Sequence, residues 1–236
     1  MKIIRFDTIS STNLYLKENY NDFDNLTCVT ALHQTNGRGR LGRTWVDDND
    51  LLFSILVKNN LNNPSDYSFL IASSIITVLK SLNPLVKWPN DIIINDRKIA
   101  GILLEAVTIE KIDCVIIGVG INTNSKIFSD DLVFKANSIS NIIGEEVDNN
   151  KLLDNILNQF EKDYNDYIND KSDYHKNILQ NFYLMNKEIT FKIQDKKFNS
   201  IVLGMNDNNE LIVQIDDQIF YLNSGEVTLT NNYSVD

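Results

Sequence analysis

The chain has 236 residues, 43% apolar, 23% charged and 9% aromatic, which suits a globular protein with a sizeable core and excludes a disordered or fibrous chain. Its 32 acidic residues against 22 Lys and Arg give a net charge of −10, which argues against a surface built to grip nucleic-acid phosphate. No run reaches the roughly 18 apolar residues of a membrane span, and the start has no apolar core of signal-peptide length, so a cytoplasmic protein without membrane contact is expected.

Ser10 to Asn13, before Leu14 and Leu16, reads as the cap of a short helix, because Ser and Asn oxygens accept the orphan N–H groups of a first turn. Residues 27–33 and 51–57 are short apolar runs between polar clusters and read as strands. From Ser65 to Leu82, Phe69, Ala72, Ile75, Ile76 and Leu79 recur at helical spacing. The period then shortens: 92–94, a turn at 95–97 and 98–107 predict a hairpin, and 114–121 extends it into an antiparallel meander. Helical spacing returns over 150–169 and around Tyr174–Phe182. Short alternating runs at 188–193, 197–204, 210–215, 218–222 and 226–229 then predict a small barrel. A boundary near 184–187 divides the chain into residues 1–184 and 187–236.

Cys28 and Cys114 sit in apolar runs and read as buried free thiols. Two histidines, His33 and His175, are too few for a His-rich metal site and give little support to a His triad, so no metal ligands are assigned.

Three segments carry chemistry. In Gln34–Trp45, Gly37, Gly39 and Gly42 alternate with Arg38, Arg40 and Arg43, and no acid intervenes. Glycines let backbone N–H groups approach an anion, and arginines add planar donor forks. A solvated loop that touches RNA is the alternative, disfavoured by the acidic charge. Lys87-Trp-Pro-Asn-Asp91 leads into the hairpin that presents Lys98; Pro89 fixes the backbone, so Asp91 is held at a set angle. The segment reads either as a structural turn or as part of a site. Gly118-Val-Gly-Ile-Asn122 ends a buried strand, but Thr123 stands where a dinucleotide fingerprint needs its third glycine.

Together, in this order and spacing, these segments resemble the biotin–protein ligase family, through Ser11-Thr-Asn13, Gln34, the Gly37–Arg43 loop with Trp45, Lys87–Asp91, Arg97-Lys-Ile-Ala-Gly-Ile102 and Gly118–Asn122. Gly204 and Ser224-Gly-Glu-Val227 match the family's small terminal domain. The resemblance implies an α+β fold of the class II aminoacyl-tRNA synthetase type, a mixed sheet with helices on one face, followed by an SH3-like β-barrel. It implies ATP-dependent transfer of biotin, through biotinyl-5′-AMP, to a lysine of a carboxylase's biotin carboxyl carrier domain. ATP enters with Mg²⁺, and no tightly held cofactor is expected.

The same resemblance assigns the residues. Ser11, Thr12, Asn13 and Gln34 would line the biotin pocket, joined by Arg38, Gly39, Arg40, Lys98 and Gly101. Arg38, Arg40, Arg43, Trp45 and Asn122 would meet ATP or the adenylate. Lys98, Arg40, Lys87 and Asp91 would form the catalytic group. The ligase motifs begin at Ser11, so no DNA-binding domain and no operator binding are expected, while a homodimer remains open. A lipoate ligase is the nearest alternative, and the Gly-Arg loop speaks against it. A non-enzymatic RNA- or partner-binding module is the alternative from another class.

Overall fold

The computed structural model describes residues 1–45, 48–128, 132–193, 196–224 and 228–229. In chain order the elements are β1 Ile3–Ile9, α1 Thr12–Asn19, β2 Cys28–Gln34, β3 Leu51–Val57, α2 Asp66–Val78, β4 Leu85–Lys87, β5 Asp91–Ile94, β6 Arg97–Thr108 and β7 Ile112–Ile121. Helices α3 Ile139–Ile143, α4 Asn149–Ile168 and α5 Tyr174–Gln180 follow. Strands β8 Glu188–Ile193, β9 Lys196–Met205, β10 Leu211–Ile215, β11 Gln218–Leu222 and β12 Thr228–Leu229 complete the set.

The first seven strands form one sheet in the order β1-β2-β3-β7-β6-β5-β4. Only the β1–β2 pair is parallel, so the sheet is mixed and largely antiparallel, as the meander predicts. Side chains alternate between its faces. On β7, Val115, Ile117, Val119 and Ile121 point into the main core, together with Phe53, Ile55 and Val57 of β3. Helices α2 and α4 cover that face with Phe69, Leu70, Ile75, Leu153, Ile156, Leu157 and Phe160. The α4 spacing of three and four residues puts these apolar side chains on one stripe.

On β7, Cys114 and Ile116 face the other way. They pack with Val29, Leu56 and Leu16 of α1 in a small second cluster. The long helices therefore share one face as expected, while the short α1 lies on the opposite one. Ser11 caps α1 by accepting from Leu14 N at 3.4 Å, which confirms the capping signal.

Three elements were not expected from the sequence: β1, the three-residue β4 and the five-residue α3. The remaining strands form an antiparallel sheet ordered β11-β10-β9-β8-β12. Among the described residues β11 and β12 are its two edges, with no pairing that closes a barrel. Of the expected terminal motif, Gly225, Glu226 and Val227 lie outside the described residues. The second sheet is tied to the first. Trp88 Nε1 donates to Asn209 O at 3.0 Å, and Asn209 Nδ2 donates to Asp66 Oδ1 at 2.6 Å.

Candidate functional site

The site grows from one row of the sheet. Ser54 of β3, Gly118 of β7 and Leu103 of β6 lie side by side, and Leu52, Gly120 and Gly101 form the next row. Directly paired residues share a face, and this is the face opposite the main core. Two glycines on β7 and one on β6 leave a strip of bare backbone where other strand positions carry side chains, and neighbouring side chains cover it.

Asn13 covers one end of that strip. A Cβ at Gly118 would collide with its side-chain amide, so only glycine admits this approach. Asn13 Nδ2 donates to Glu105 Oε2 at 2.9 Å, and Ser54 Oγ lies 2.6 Å from Asn13 Oδ1. Ser54 Oγ is also 2.7 Å from Thr12 Oγ1, which lies 3.1 Å from Gln34 Oε1. The same Gln34 oxygen accepts from Thr12 N at 2.7 Å. The expected group Ser11, Thr12, Asn13 and Gln34 is thus gathered at the start of α1 and the end of β2, with both polar ends of Asn13 committed to protein.

Trp45 covers the other end. A Cβ at Gly120 would strike its indole, and one at Gly101 would come within 2.9 Å of it. Lys98 Nζ stands 5.5 Å from the centre of the Trp45 ring and 2.7 Å from Asp91 Oδ1. Strand pairing sets Asp91 opposite both Lys87 and Gly101. Lys87 is half-buried, and desolvation pulls its ammonium below the usual lysine value, opposed by Asp91 and reinforced by Lys98.

The Gly-Arg loop folds on itself. Trp45 N donates to Gly37 O at 3.1 Å and Gly39 N to Arg43 O at 2.7 Å, around a 3-10 turn at Arg40–Gly42. Arg40 alone of its three arginines is half-buried; Arg38 and Arg43 are exposed. Its guanidinium donates to Asn90 Oδ1 at 3.1 Å and to Ser224 O at 2.9 Å, so it joins the Lys87–Asp91 turn to the second sheet. Burial lowers its pKa from the usual arginine value, against the pull of Asp91. Between this loop and Leu103, Leu104 and Glu105 of β6 opens a cavity of about 590 Å³.

Asn122 lies just past the end of β7. It is buried, and its Nδ2 donates to Lys98 O at 3.4 Å and Asn137 O at 3.2 Å, which braces the backbone beside Lys98. Two residues of the site were missed, Ser54 and Glu105, while Asn90 belongs to the Lys87–Asp91 motif but was given no role. Ser54 and Glu105 carry a signal, since each is a lone polar side chain in an otherwise apolar strand run.

The mixed sheet thus carries a glycine strip on one face, a lysine–aspartate pair at its end and an arginine loop above it, groups suited to meeting anions. The solved structure of biotin protein ligase from Aquifex aeolicus in complex with biotin and ATP shares this fold. Its TM-score is 0.87, at 24% identity, over 98% of this chain and 99% of that one. A family model described as the biotin/lipoate A/B protein ligase family matches residues 5–122, and the chain belongs to that family. The bifunctional ligase/repressor BirA of Bacillus spizizenii is 31% identical over 96% of this chain and 74% of its own length. The biotin–[acetyl-CoA-carboxylase] ligase of Mycobacterium tuberculosis is 28% identical over 59% of this chain and 54% of that protein. The chain is therefore a ligase of this family.

Proposed function

We propose that the protein activates biotin with ATP and transfers it to a lysine of a biotin carboxyl carrier domain. In the first step a biotin carboxylate oxygen attacks the α-phosphorus of ATP, the bond to pyrophosphate breaks, and biotinyl-5′-AMP forms. In the second, the neutral amine of the carrier lysine attacks the anhydride carbonyl, its C–O bond to phosphate breaks, and AMP leaves. The amine gives up one proton. The mixed anhydride is reactive toward water, so a closing loop that excludes water favours transfer.

The observation that carries this reading is the Lys98–Asp91 pair, 2.7 Å apart at the end of a bare backbone strip. Lys98 is proposed to turn from Asp91 toward biotin's carboxylate and the α-phosphate, where its charge meets the negative charge that grows in the transition state. Asp91, released, then orients the carrier lysine or takes its proton. Lys87, whose ammonium burial already disfavours, flanks the reacting centre. Ser11, Thr12, Asn13 and Gln34 line the pocket for the polar ureido head, and apolar neighbours take the rings and chain.

Arg38, Gly39 and Arg40 fold over the adenylate, Arg43 meets the ATP phosphates and Trp45 packs at the nucleotide end. Among the described residues no three His, Cys, Asp or Glu side chains gather as a metal cage. The Mg²⁺ is accordingly proposed to arrive on the ATP phosphates as part of the substrate. Residues 1–184 are proposed as the catalytic unit and 187–236 as its accessory sheet. Dependence on ATP and two buried free thiols support a cytoplasmic location. Among the described residues no helix is long and apolar enough to cross a membrane.

The test is purified protein with ATP, Mg²⁺, labelled biotin and a carboxylase carrier domain. Label on the carrier lysine, with one pyrophosphate released per transfer, is expected. Pyrophosphate release with lipoate and none with biotin would overturn the proposal.

A further inference from the structure

We propose that Glu105 is a positioning residue, one that sets the direction of the hydrogen bonds running from Asn13 through Ser54 to Thr12. The inference rests on the reading of this face as the biotin pocket and adds to it the device that makes Thr12 an acceptor.

The argument starts from proton counting. A carboxylate only accepts hydrogen bonds. Glu105 lies beside Lys17 at 3.4 Å, and its side chain is 19% exposed. Asn13 must therefore turn its NH₂ to Glu105, 2.9 Å away, which leaves its oxygen facing Ser54 Oγ at 2.6 Å. Ser54 is fully buried and has a single proton, which goes to Asn13. Ser54 then meets Thr12 Oγ1, 2.7 Å away, as an acceptor. A 2.7 Å contact needs a proton between its oxygens, so Thr12 gives its one proton to Ser54, and Gln34 Oε1 accepts from Thr12 N at 2.7 Å; the hydroxyl proton is spent inside the protein. What Thr12, itself buried, keeps unspent is a lone pair, complementary to a ureido N–H.

The Asn13 NH₂ also has Leu103 O at 3.5 Å, long for a hydrogen bond, so Glu105 at 2.9 Å is the stronger of the two groups that fix the direction. An asparagine amide and two hydroxyls fit the same heavy-atom positions with every bond reversed. In the reversed state Ser54 donates to Thr12 and fills an acceptor site that the ligand needs. Leu103 lies across Gly118 from Ser54, and Glu105 is two residues further along β6 on the same face, opposite Ile116. It acts through Asn13, and the bare Gly118 is what lets Asn13 cross.

Glu105→Gln keeps the shape and removes the acceptor-only character. We expect the KM for biotin to rise about tenfold, the loss of roughly one well-directed hydrogen bond, with kcat within about twofold. Preference for biotin over an analogue methylated on a ureido nitrogen should shrink in parallel. Asn13→Asp in the Glu105→Gln background makes the bridging side chain acceptor-only and residue 105 its donor. Ser54 again donates away from Thr12, so biotin KM should recover by several-fold relative to Glu105→Gln alone. Asn13→Asp by itself should be worse than either, since two carboxylates then face each other. A KM unmoved in Glu105→Gln, or a rise that Asn13→Asp fails to reverse, overturns the proposal, because a packing role predicts no rescue. Wild-type protein that does not turn over biotin overturns the pocket reading itself. Wild-type turnover with an indifferent Glu105→Gln removes only Glu105.

Discussion

The two faces of β7 are made from the same ten residues and do opposite work. Toward α2 and α4 the strand presents Val115, Ile117, Val119 and Ile121, all buried in the main core. Toward α1 and the arginine loop it presents Cys114 and Ile116, then Gly118 and Gly120. One face gains stability by filling space; the other leaves space that Asn13 and Trp45 occupy. A period of two lets a single strand meet both demands without compromise, and substitutions on the two faces should separate binding and chemistry from stability.

The largest separation is expected at Lys98, at the end of the site face. Lys98→Ala removes the ammonium that stands 2.7 Å from Asp91, and adenylate formation should fall by about 10²–10³-fold. Its thermal midpoint should stay near wild type, since the side chain is a third exposed at 34%. Near-normal pyrophosphate release from biotin and ATP would show that charge at this position is not used in the reaction.

Ile117→Ala makes the converse cut. The side chain is fully buried, and truncation should cost about 2–5 kcal/mol of unfolding free energy, measurable in urea. Below the melting transition, biotin KM and kcat should stay within about twofold, because Ile117 points away from the site. A large KM change in the folded variant would mean that the faces are coupled through the strand.

Gly118→Ala breaks the site face from within. The added Cβ displaces the Asn13 amide, whose ends are fixed on Glu105 and Ser54. Biotin KM should rise more than about tenfold. Gly120→Ala should do less, because the atoms it meets belong to the Trp45 indole on an otherwise exposed loop. Equal effects would imply that Trp45 is held as firmly as Asn13.

The core face was the more legible of the two. Apolar runs at 51–57 and 114–121 and the helical spacing of 65–82 and 150–169 announce burial directly. The unexpected β1 is an edge strand with few buried positions, so its alternation carries little signal. On the site face, Lys98, Asp91, Arg40 and the Ser11–Asn13 group stood out through motif spacing. Glu105 and Ser54 did not, because inside an apolar run a single polar residue is visible only once the face it occupies is known. Asn122 shows what the motif leaves out. An asparagine after a glycine pair reads as a ligand contact, yet its amide faces two backbone carbonyls, a fact decided by the 132–137 segment returning beside Lys98.

The smallest expected effect comes from a core residue that titrates. Cys28 is fully buried, and burial pushes its thiol up to about 12 from 9.0, only partly offset by Arg5 and the N-terminus. A thiol whose folded value is raised contributes no pH dependence below the unfolded value. As pH climbs past about 9 the unfolded chain ionises first, and the folded state loses stability progressively toward 12. At pH 9.5 this amounts to under about 1 kcal/mol. Cys28→Val should keep the packing and flatten that part of the alkaline decline in urea midpoints. Cys114, on the opposite cluster, is also shifted upward by burial, but Lys58 and a backbone hydrogen bond pull against it. Substituting Cys114 should therefore flatten the decline less than substituting Cys28. If the two variants titrate alike, the main core and the α1 cluster exclude water equally.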